Sequence, residues 1–172
     1  LSLLDALPVC GVVYRLDPVS LEVTQVIHND LKPFGATINN RTQTLWFGNT
    51  TNSAVTAVDA KTGEVKGRLV LDDRKRSETV RPLQPRQLAV DEATNTVYIT
   101  GIGKESVVWV VDGASMKLKA TIANTGTFST GLAVDSSAKR LYSTNAARSE
   151  ERRVGTDGGC RWSPDPYKKQ ES

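Results

Sequence analysis

The chain has few of the residues that usually carry chemistry, with one His, two Cys and one Met among its 172 residues. His28 is the single histidine, and neither a cysteine nor a group of carboxylates lies near it in the sequence. A nucleophilic triad needs a base, and a zinc site needs several His, Cys or carboxylate ligands at suitable spacing. We therefore predict no catalytic residue, no metal site and no other cofactor, and we expect a protein that is not an enzyme.

The two cysteines, Cys10 and Cys160, lie near the ends of the chain. A disulfide that staples a small domain usually lies within the patterned part of the fold. The positions of these residues favour two incidental thiols over a disulfide. The long stretch between them, which has no cysteine, is compatible with a reducing or an oxidising compartment.

Neither charge nor hydropathy predicts a membrane protein or a strongly basic one. The net charge is +3, from 22 basic and 19 acidic residues, which does not by itself require a nucleic-acid or lipid partner. No apolar run approaches the ~18 residues that span a bilayer, so we expect no membrane insertion. The opening LSLLDALPVC is too short for a signal peptide, which is either removed or missing from this sequence.

Two kinds of segment recur along the chain. The first is an apolar strand pair around a short turn, found at Gly35–Thr50, Leu88–Ile102 and Leu132–Ala146. The second follows it, at Val55–Leu71 and Val107–Ile122, with an earlier copy at Val12–Ile27. Equivalent aspartates are separated by 42 and 53 residues, so one unit carries an insertion. A period of ~40–50 residues with four strands in each unit is typical of a β-propeller.

The strand segments TLWFG, TVYIT, AVTAV and VVWVV are nearly continuously apolar. A blade is covered on both faces by its neighbours, so its strands need not alternate. We therefore expect Trp46 and Trp109 in the core between blades. Three equivalent aspartates precede turns and are predicted to cap them rather than bind a ligand: Asp17, Asp59 and Asp112.

The runs GVVYRLDPVSLEVTQVI (Gly11–Ile27) and RPLQPRQLAVDEATNTVYITGI (Arg81–Ile102) resemble the YVTN-repeat family of bacterial propellers. The resemblance extends from Gly11 to about Ala147. It implies a seven-bladed ring, a periplasmic location and no established catalytic residues. The predicted fold is all-β: a β-propeller fragment of about three four-stranded antiparallel blades, which leaves the ring incomplete.

Three regions are predicted along the chain. Residues 1–10 form a junction that does not match the repeats, residues 11–147 the propeller fragment, and residues 148–172 a non-native or disordered tail rich in Arg, Glu, Gly and Pro. An open ring exposes apolar faces and strand edges at both ends. We therefore expect this chain to be marginally stable alone.

Binding residues are expected on one rim of the propeller. There the loops entering the innermost strands lie beside the loops joining the second and third strands. The candidate residues combine cations, aromatic rings and one amide: Lys32, Phe34, Asn49, Arg86, Lys104 and Phe128. The inserted loop Asp72–Arg81 adds basic charge, which its own acidic residues dilute.

These features favour a non-enzymatic propeller that acts as a binding or interaction scaffold, with an unknown protein or small ligand at the rim, and the resemblance implies that it is periplasmic. The alternative is a protein that binds single-stranded DNA through the basic and aromatic rim, because cations contact phosphates and rings stack on bases. The small net charge favours an ordinary solvated rim over this alternative. A quinone-cofactor dehydrogenase of propeller form is a third reading, but the blades contain no acidic metal cluster and no vicinal cysteines.

Overall fold

A computed structural model describes residues 11–30 and 32–147. In this part of the chain there is no helix, and every regular element is a strand. The strands are β1 (Val12–Leu16), β2 (Val23–His28), β3 (Pro33–Asn39), β4 (Thr44–Asn49), β5 (Ala54–Asp59), β6 (Val65–Val70), β7 (Gln84–Asp91), β8 (Thr96–Ile102), β9 (Val107–Asp112), β10 (Lys117–Ile122), β11 (Thr127–Asp135) and β12 (Arg140–Ala147).

The described strands form two complete blades and two half-blades. β3-β4-β5-β6 and β7-β8-β9-β10 are four-stranded antiparallel sheets, whereas β1-β2 and β11-β12 are two-stranded. By repeat position, β1-β2 is the outer half of one blade and β11-β12 is the inner half of another. The prediction of an all-β propeller fragment with four-stranded antiparallel blades and an open ring is confirmed.

The middle strands of the complete blades carry the core. β4, β5, β8 and β9 are mostly buried, and Trp46 and Trp109 are 0% and 3% exposed. Both indoles belong to one apolar cluster that joins the two blades, with Val55, Val97 and Ile99 among its members. The prediction that the two tryptophans lie between blades is therefore confirmed. A smaller cluster, Ile27, Phe47 and Val58, joins β1-β2 to the first complete blade.

The turn aspartates cap their hairpins as predicted. Asp17 Oδ1 accepts hydrogen bonds from the amides of Val19 and Ser20, at 2.9 and 2.8 Å. Asp59 and Asp112 accept the same pair of amide bonds in their own turns. Each turn then needs one residue at positive φ. Gly63 takes it at 78°, as predicted, while Leu21 and Met116 take it in the other two turns.

Several predictions concern segments outside the described residues. The junction at 1–10 and the tail at 148–172 both lie there, and so do Cys10 and Cys160. Within residues 11–30 and 32–147, no helix is long and apolar enough to cross a membrane.

Candidate functional site

One edge of the blades forms the rim on which binding residues were expected. The loop after β4 is tied to the loop before β3 by the bond from the Thr50 amide to the Lys32 carbonyl, at 3.1 Å. The loop after β8 is tied to the loop before β11, in the following half-blade, because the Ser106 amide donates to the Gly126 carbonyl at 2.9 Å. These bonds bring the two predicted sets of loops together on one edge.

A cavity of about 1040 Å³ opens on this edge, at the end of the second complete blade. The insertion between β6 and β7 forms one wall, and the loops after β8 and β10 form the other. Its lining includes one acidic side chain, Glu105, and five cationic ones: Arg74, Arg76, Arg81, Arg86 and Lys104. The cavity is therefore positively charged although the chain as a whole is nearly balanced.

Asp72 fixes the inserted loop at its base. Asp72 Oδ2 accepts a 2.7 Å hydrogen bond from the Leu83 amide, which closes the loop on itself. Arg74 Nε donates to Asp72 Oδ1 at 2.8 Å, and the ion pair lowers the pKa of the Asp72 carboxyl below its usual value. The loop therefore stays closed with its carboxylate ionised, and one of the cavity's arginines is already paired.

Arg86 and Phe34 join the two complete blades at the rim. The Arg86 guanidinium carbon lies 3.8 Å from the centre of the Phe34 ring, which is a cation–π contact. The backbones are close because Gly35 has no side chain: a Cβ there would run into the Arg86 carbonyl oxygen. Phe34 is still 64% exposed, so most of its ring remains open to a ligand.

Phe128 lines the opposite side of the cavity. Its amide donates to the Gly103 carbonyl at 3.0 Å, and its backbone is in the left-handed region with φ of 53°. The ring is 43% exposed. Lys104, in the loop that holds Phe128, is exposed on the same side. Two aromatic rings and several cations thus lie along one stretch of the rim.

The six predicted rim residues do not all meet. Arg86, Lys104 and Phe128 line the cavity, and Phe34 stacks on Arg86. Lys32 is exposed two residues before Phe34, outside the cavity lining. Asn49 is fully buried: its Nδ2 donates to Thr56 Oγ1 at 2.8 Å and its Oδ1 accepts from Asn29 at 3.3 Å. Asn49 is thus placed inside the blade instead of on the rim surface.

Three cationic residues line the cavity without being among the six candidates: Arg74, Arg76 and Arg81. The run Arg74-Lys75-Arg76 signals basic charge in the sequence. The sequence does not show that the hydrogen bond between Asp72 and the Leu83 amide closes this loop, or that the loop lines the same cavity as Lys104 and Phe128. Among the described residues, no group of three His, Cys, Asp or Glu side chains could hold a metal ion.

The chain is closely similar in sequence to YncE proteins. It is 82% identical over 136 residues to the uncharacterized protein YncE of Escherichia coli (strain K12), and 77% identical over 136 residues to YncE of Salmonella typhi. Each match covers 79% of this chain and 38% of the relative, so the chain spans well under half the length of these proteins. No protein-family model matches the chain.

Solved structures share the fold at low sequence identity. Hydrazine synthase of Kuenenia stuttgartiensis superposes with a TM-score of 0.64 at 16% identity, over 76% of this chain and 34% of that one. A luciferin-regenerating enzyme gives 0.58 at 19% identity, over 81% and 45%. AztD of Citrobacter koseri gives 0.54 at 17%, over 81% and 34%. Some of these neighbours are named as enzymes, so the shared fold does not decide activity.

This chain is a β-propeller fragment that is closely similar to YncE over the 136 aligned residues.

Proposed function

We propose that this chain is part of a non-enzymatic periplasmic propeller that acts as a binding scaffold, and that its rim cavity binds an anionic partner. The observation that carries the proposal is the charge of the cavity. Five cationic side chains line it, and the carboxylates of Glu105 and Asp72 offset two of them. Cations gathered in a concave site raise the local concentration of an anionic ligand.

The geometry supports a site that is formed before the ligand arrives. Asp72 closes the inserted loop, and backbone bonds hold the loops on either side of Phe128. Binding to an already ordered site avoids much of the entropy lost when loops must be fixed. The cavity volume is also just above the ~300–1,000 Å³ range of ligand pockets, which suits an extended ligand.

Single-stranded DNA is the second candidate partner. The specific observation that favours it is the pair of exposed rings, Phe34 and Phe128, beside the cations of the cavity. A base stacked on an aromatic side chain contributes about 1–3 kcal/mol, while the cations hold the phosphates. A polyanion without bases would gain only the contacts with the cations, and no stacking.

The test is a fluorescence anisotropy titration of a labelled oligothymidylate, at low ionic strength and at about 0.15 M. Heparin, a polyanion without bases, serves as competitor. We expect binding that weakens with salt. The double variant Arg86→Ala, Lys104→Ala should lower the salt slope by about 1.4, because each phosphate contact on a single strand contributes about 0.7.

The matched control is Lys61→Ala, Lys139→Ala, which removes the same charge from hairpin turns on the opposite edge of the blades. This variant should keep the original slope. If Phe128→Leu weakens the binding of the oligonucleotide but not the binding of heparin, the partner is a single-stranded nucleic acid. If only the variant Arg86→Ala, Lys104→Ala loses affinity, and loses it equally for both probes, the chain is an anion-binding scaffold without a preference for bases. Absence of binding by either probe at low ionic strength overturns both proposals.

A further inference from the structure

The segment inserted between β6 and β7 is the longest connection between strands in the described part of the chain. Residues 73–79 of this segment are all exposed and contain no strand. The one hydrogen bond between main-chain groups within residues 73–80 joins the Ser77 amide to the Val80 carbonyl, at 2.9 Å. The side chains of Lys75 and Arg76 have no hydrogen-bond or ion-pair partner among the described residues. An exposed backbone with so few bonds is the kind of segment that proteases cut.

The dipeptide Lys-Arg occurs twice between residues 11 and 147, in two different surroundings. Lys75-Arg76 lies in the exposed inserted segment. Lys139-Arg140 lies in the hairpin between β11 and β12, where the Ala138 amide donates to Asp135 Oδ1 at 3.0 Å and Arg140 pairs with Asp135. An endoprotease binds its substrate in an extended form, so this hairpin must open before it can be cut. The first pair is therefore the accessible one.

The other cations of the rim loops are poorly placed for cleavage. Lys32 and Arg81 each precede a proline, whose ring restricts the preceding residue and whose nitrogen carries no hydrogen. Lys104 lies in the short connection 103–106, whose backbone is hydrogen-bonded to the segment 125–128. The inserted segment therefore combines basic residues with an accessible backbone, and these other loops do not.

We propose that the inserted loop is a processing site for an endoprotease that cuts after paired basic residues, and that the bond cut is the one between Arg76 and Ser77. A water molecule adds its oxygen to the Arg76 carbonyl carbon and the C–N bond breaks. The proton goes to the departing nitrogen, which leaves a carboxylate on Arg76 and an ammonium group on Ser77. The pocket that accepts Arg76 in such an enzyme carries a carboxylate, which pairs with the guanidinium.

The cut leaves the two complete blades assembled, because contacts on both sides of it join them. The Asp72 carboxylate and the Leu83 amide lie on opposite sides of the cut, and their 2.7 Å hydrogen bond connects the two pieces. On the other edge of the blades, Asn39 Nδ2 donates to Asn95 Oδ1 at 2.8 Å. The apolar cluster around Trp46 contains side chains from both pieces. The tip of the loop alone loses its covalent closure.

Cutting also changes the rim cavity, a consequence that rests on the proposed anion-binding function. Arg76 and Arg81 line the cavity from the inserted loop. After the cut they belong to two separate chain ends, which must be ordered again when a ligand binds. Ordering a chain end costs conformational entropy. Processing is therefore expected to lower the affinity of the cavity for an anion.

The test digests the folded 172-residue chain with a subtilisin-type endoprotease that cuts after Lys-Arg pairs, and mass spectrometry identifies each new N-terminus. Ser77 should appear at least about ten-fold faster than Leu141, because a hydrogen-bonded hairpin must open first whereas an exposed loop need not. Each N-terminus is followed separately, so cuts elsewhere in the chain do not affect this ratio.

Two matched double variants show which pair is recognised. Lys75→Gln, Arg76→Gln should abolish the N-terminus at Ser77. Lys139→Gln, Arg140→Gln removes the same dipeptide from the hairpin and should leave the rate at Ser77 unchanged. Equal rates at Ser77 and Leu141, or no cut after Arg76, overturn the proposal.

Size-exclusion chromatography of the cut chain tests whether the blades stay together. We expect one species that separates into two pieces only in denaturant, and separation without denaturant overturns the proposed assembly. The cut chain should bind oligothymidylate about two- to ten-fold more weakly than the uncut chain. Unchanged affinity overturns the consequence for the cavity. If the uncut chain binds no anionic probe, the proposed function fails, while the ratio of the two cutting rates still decides the processing site.

Discussion

The complete blades and the half-blades have the same turns and nearly the same strand patterns, but their side chains are buried to very different extents. Trp46 and Val58 are fully buried in the first complete blade, whereas Tyr142 and Leu16 at equivalent positions of the half-blades are more than half exposed. The capping bonds of Asp17 and Asp59 are alike. Local hairpin structure therefore forms in both regions, while burial depends on the neighbouring blade.

This difference shows where the free energy of folding comes from in a repeat array. Capped turns and strand pairs are properties of one unit, whereas the apolar clusters join two units. The rim cavity lies at the second complete blade, where neighbours are present on both sides. The region proposed to bind a partner is thus part of the well-packed region of the chain.

The largest expected effect on the free energy of unfolding comes from truncating a core side chain. Trp46→Ala should lower the free energy of unfolding by about 3–5 kcal/mol, because a buried aromatic leaves a cavity between the blades. The matched variant Tyr14→Ala in the half-blade should cost less than about 1 kcal/mol, since the ring is exposed there. Urea unfolding followed by circular dichroism measures both.

The variant Trp46→Phe separates the contribution of apolar packing to stability from that of the polar indole N–H. The indole Nε1 is buried without a hydrogen-bond partner, so replacing it removes an unsatisfied donor while keeping most of the apolar volume. This variant should stay folded and lose much less stability than Trp46→Ala. Equal losses for Trp46→Ala and Tyr14→Ala would show that the two regions are packed alike, contrary to the comparison.

A second prediction concerns the turn carboxylates at low pH. Amide bonds from Thr62 and Lys61, with help from Lys66, lower the pKa of Asp59 from 3.8 to about 2. The amides of Ser20 and Val19 lower the pKa of Asp17 as well, without a lysine. The pKa of Asp59 is lower in the folded chain than in the unfolded chain, so its ionised carboxyl stabilises the folded state. This stabilisation is present at pH values above the unfolded pKa of 3.8 and is lost as the pH falls toward the folded pKa of about 2.

Carbon-detected NMR titration of the aspartate side chains tests this difference. Asp59 should titrate below Asp17, and Lys66→Met or added salt should narrow the gap. In Asp59→Asn the acid-dependent loss of stability should be smaller than in the original chain. Identical titration of the two carboxyls, before and after Lys66→Met, would show that the lysine has no influence.

The smallest effect is expected in the turn of the first half-blade. Leu21 has a φ of 61° with its side chain 74% exposed, so Leu21→Gly relieves left-handed strain and loses little burial. The variant should stabilise the folded chain by about 0.5–1 kcal/mol. The control Val19→Gly, at an exposed position without positive φ, should destabilise it. Thermal unfolding distinguishes the two, and a loss of stability in both would contradict the strain argument.

Much of the fold can be predicted from the sequence because its causes are local. Continuous apolar runs such as VVWVV predict strands that are covered on both faces, and aspartates before turns predict capping. Repeat spacing also predicts which loops share a rim, and the bonds at Thr50 and Ser106 show them together. These features need only neighbouring residues or a regular period.

The rest depends on contacts between distant residues. Asn49 ends a strand near a turn, which suggests exposure, but Thr56 and Asn29 enclose its amide. The shape of the cavity depends on Asp72 holding the Leu83 amide eleven residues later, and no periodic pattern marks that bond. The sequence therefore predicts the composition of the rim better than the positions of its side chains.

Hydrogen exchange of the chain with and without saturating oligothymidylate tests the proposed site most directly. We predict slower exchange of amides in the inserted loop and in the loop after β8, both of which line the cavity, with no change in the hairpin turns at Asp59 and Asp112 on the opposite edge. Protection confined to those opposite turns, or spread evenly over both edges, would contradict the assignment of the rim cavity as the binding site.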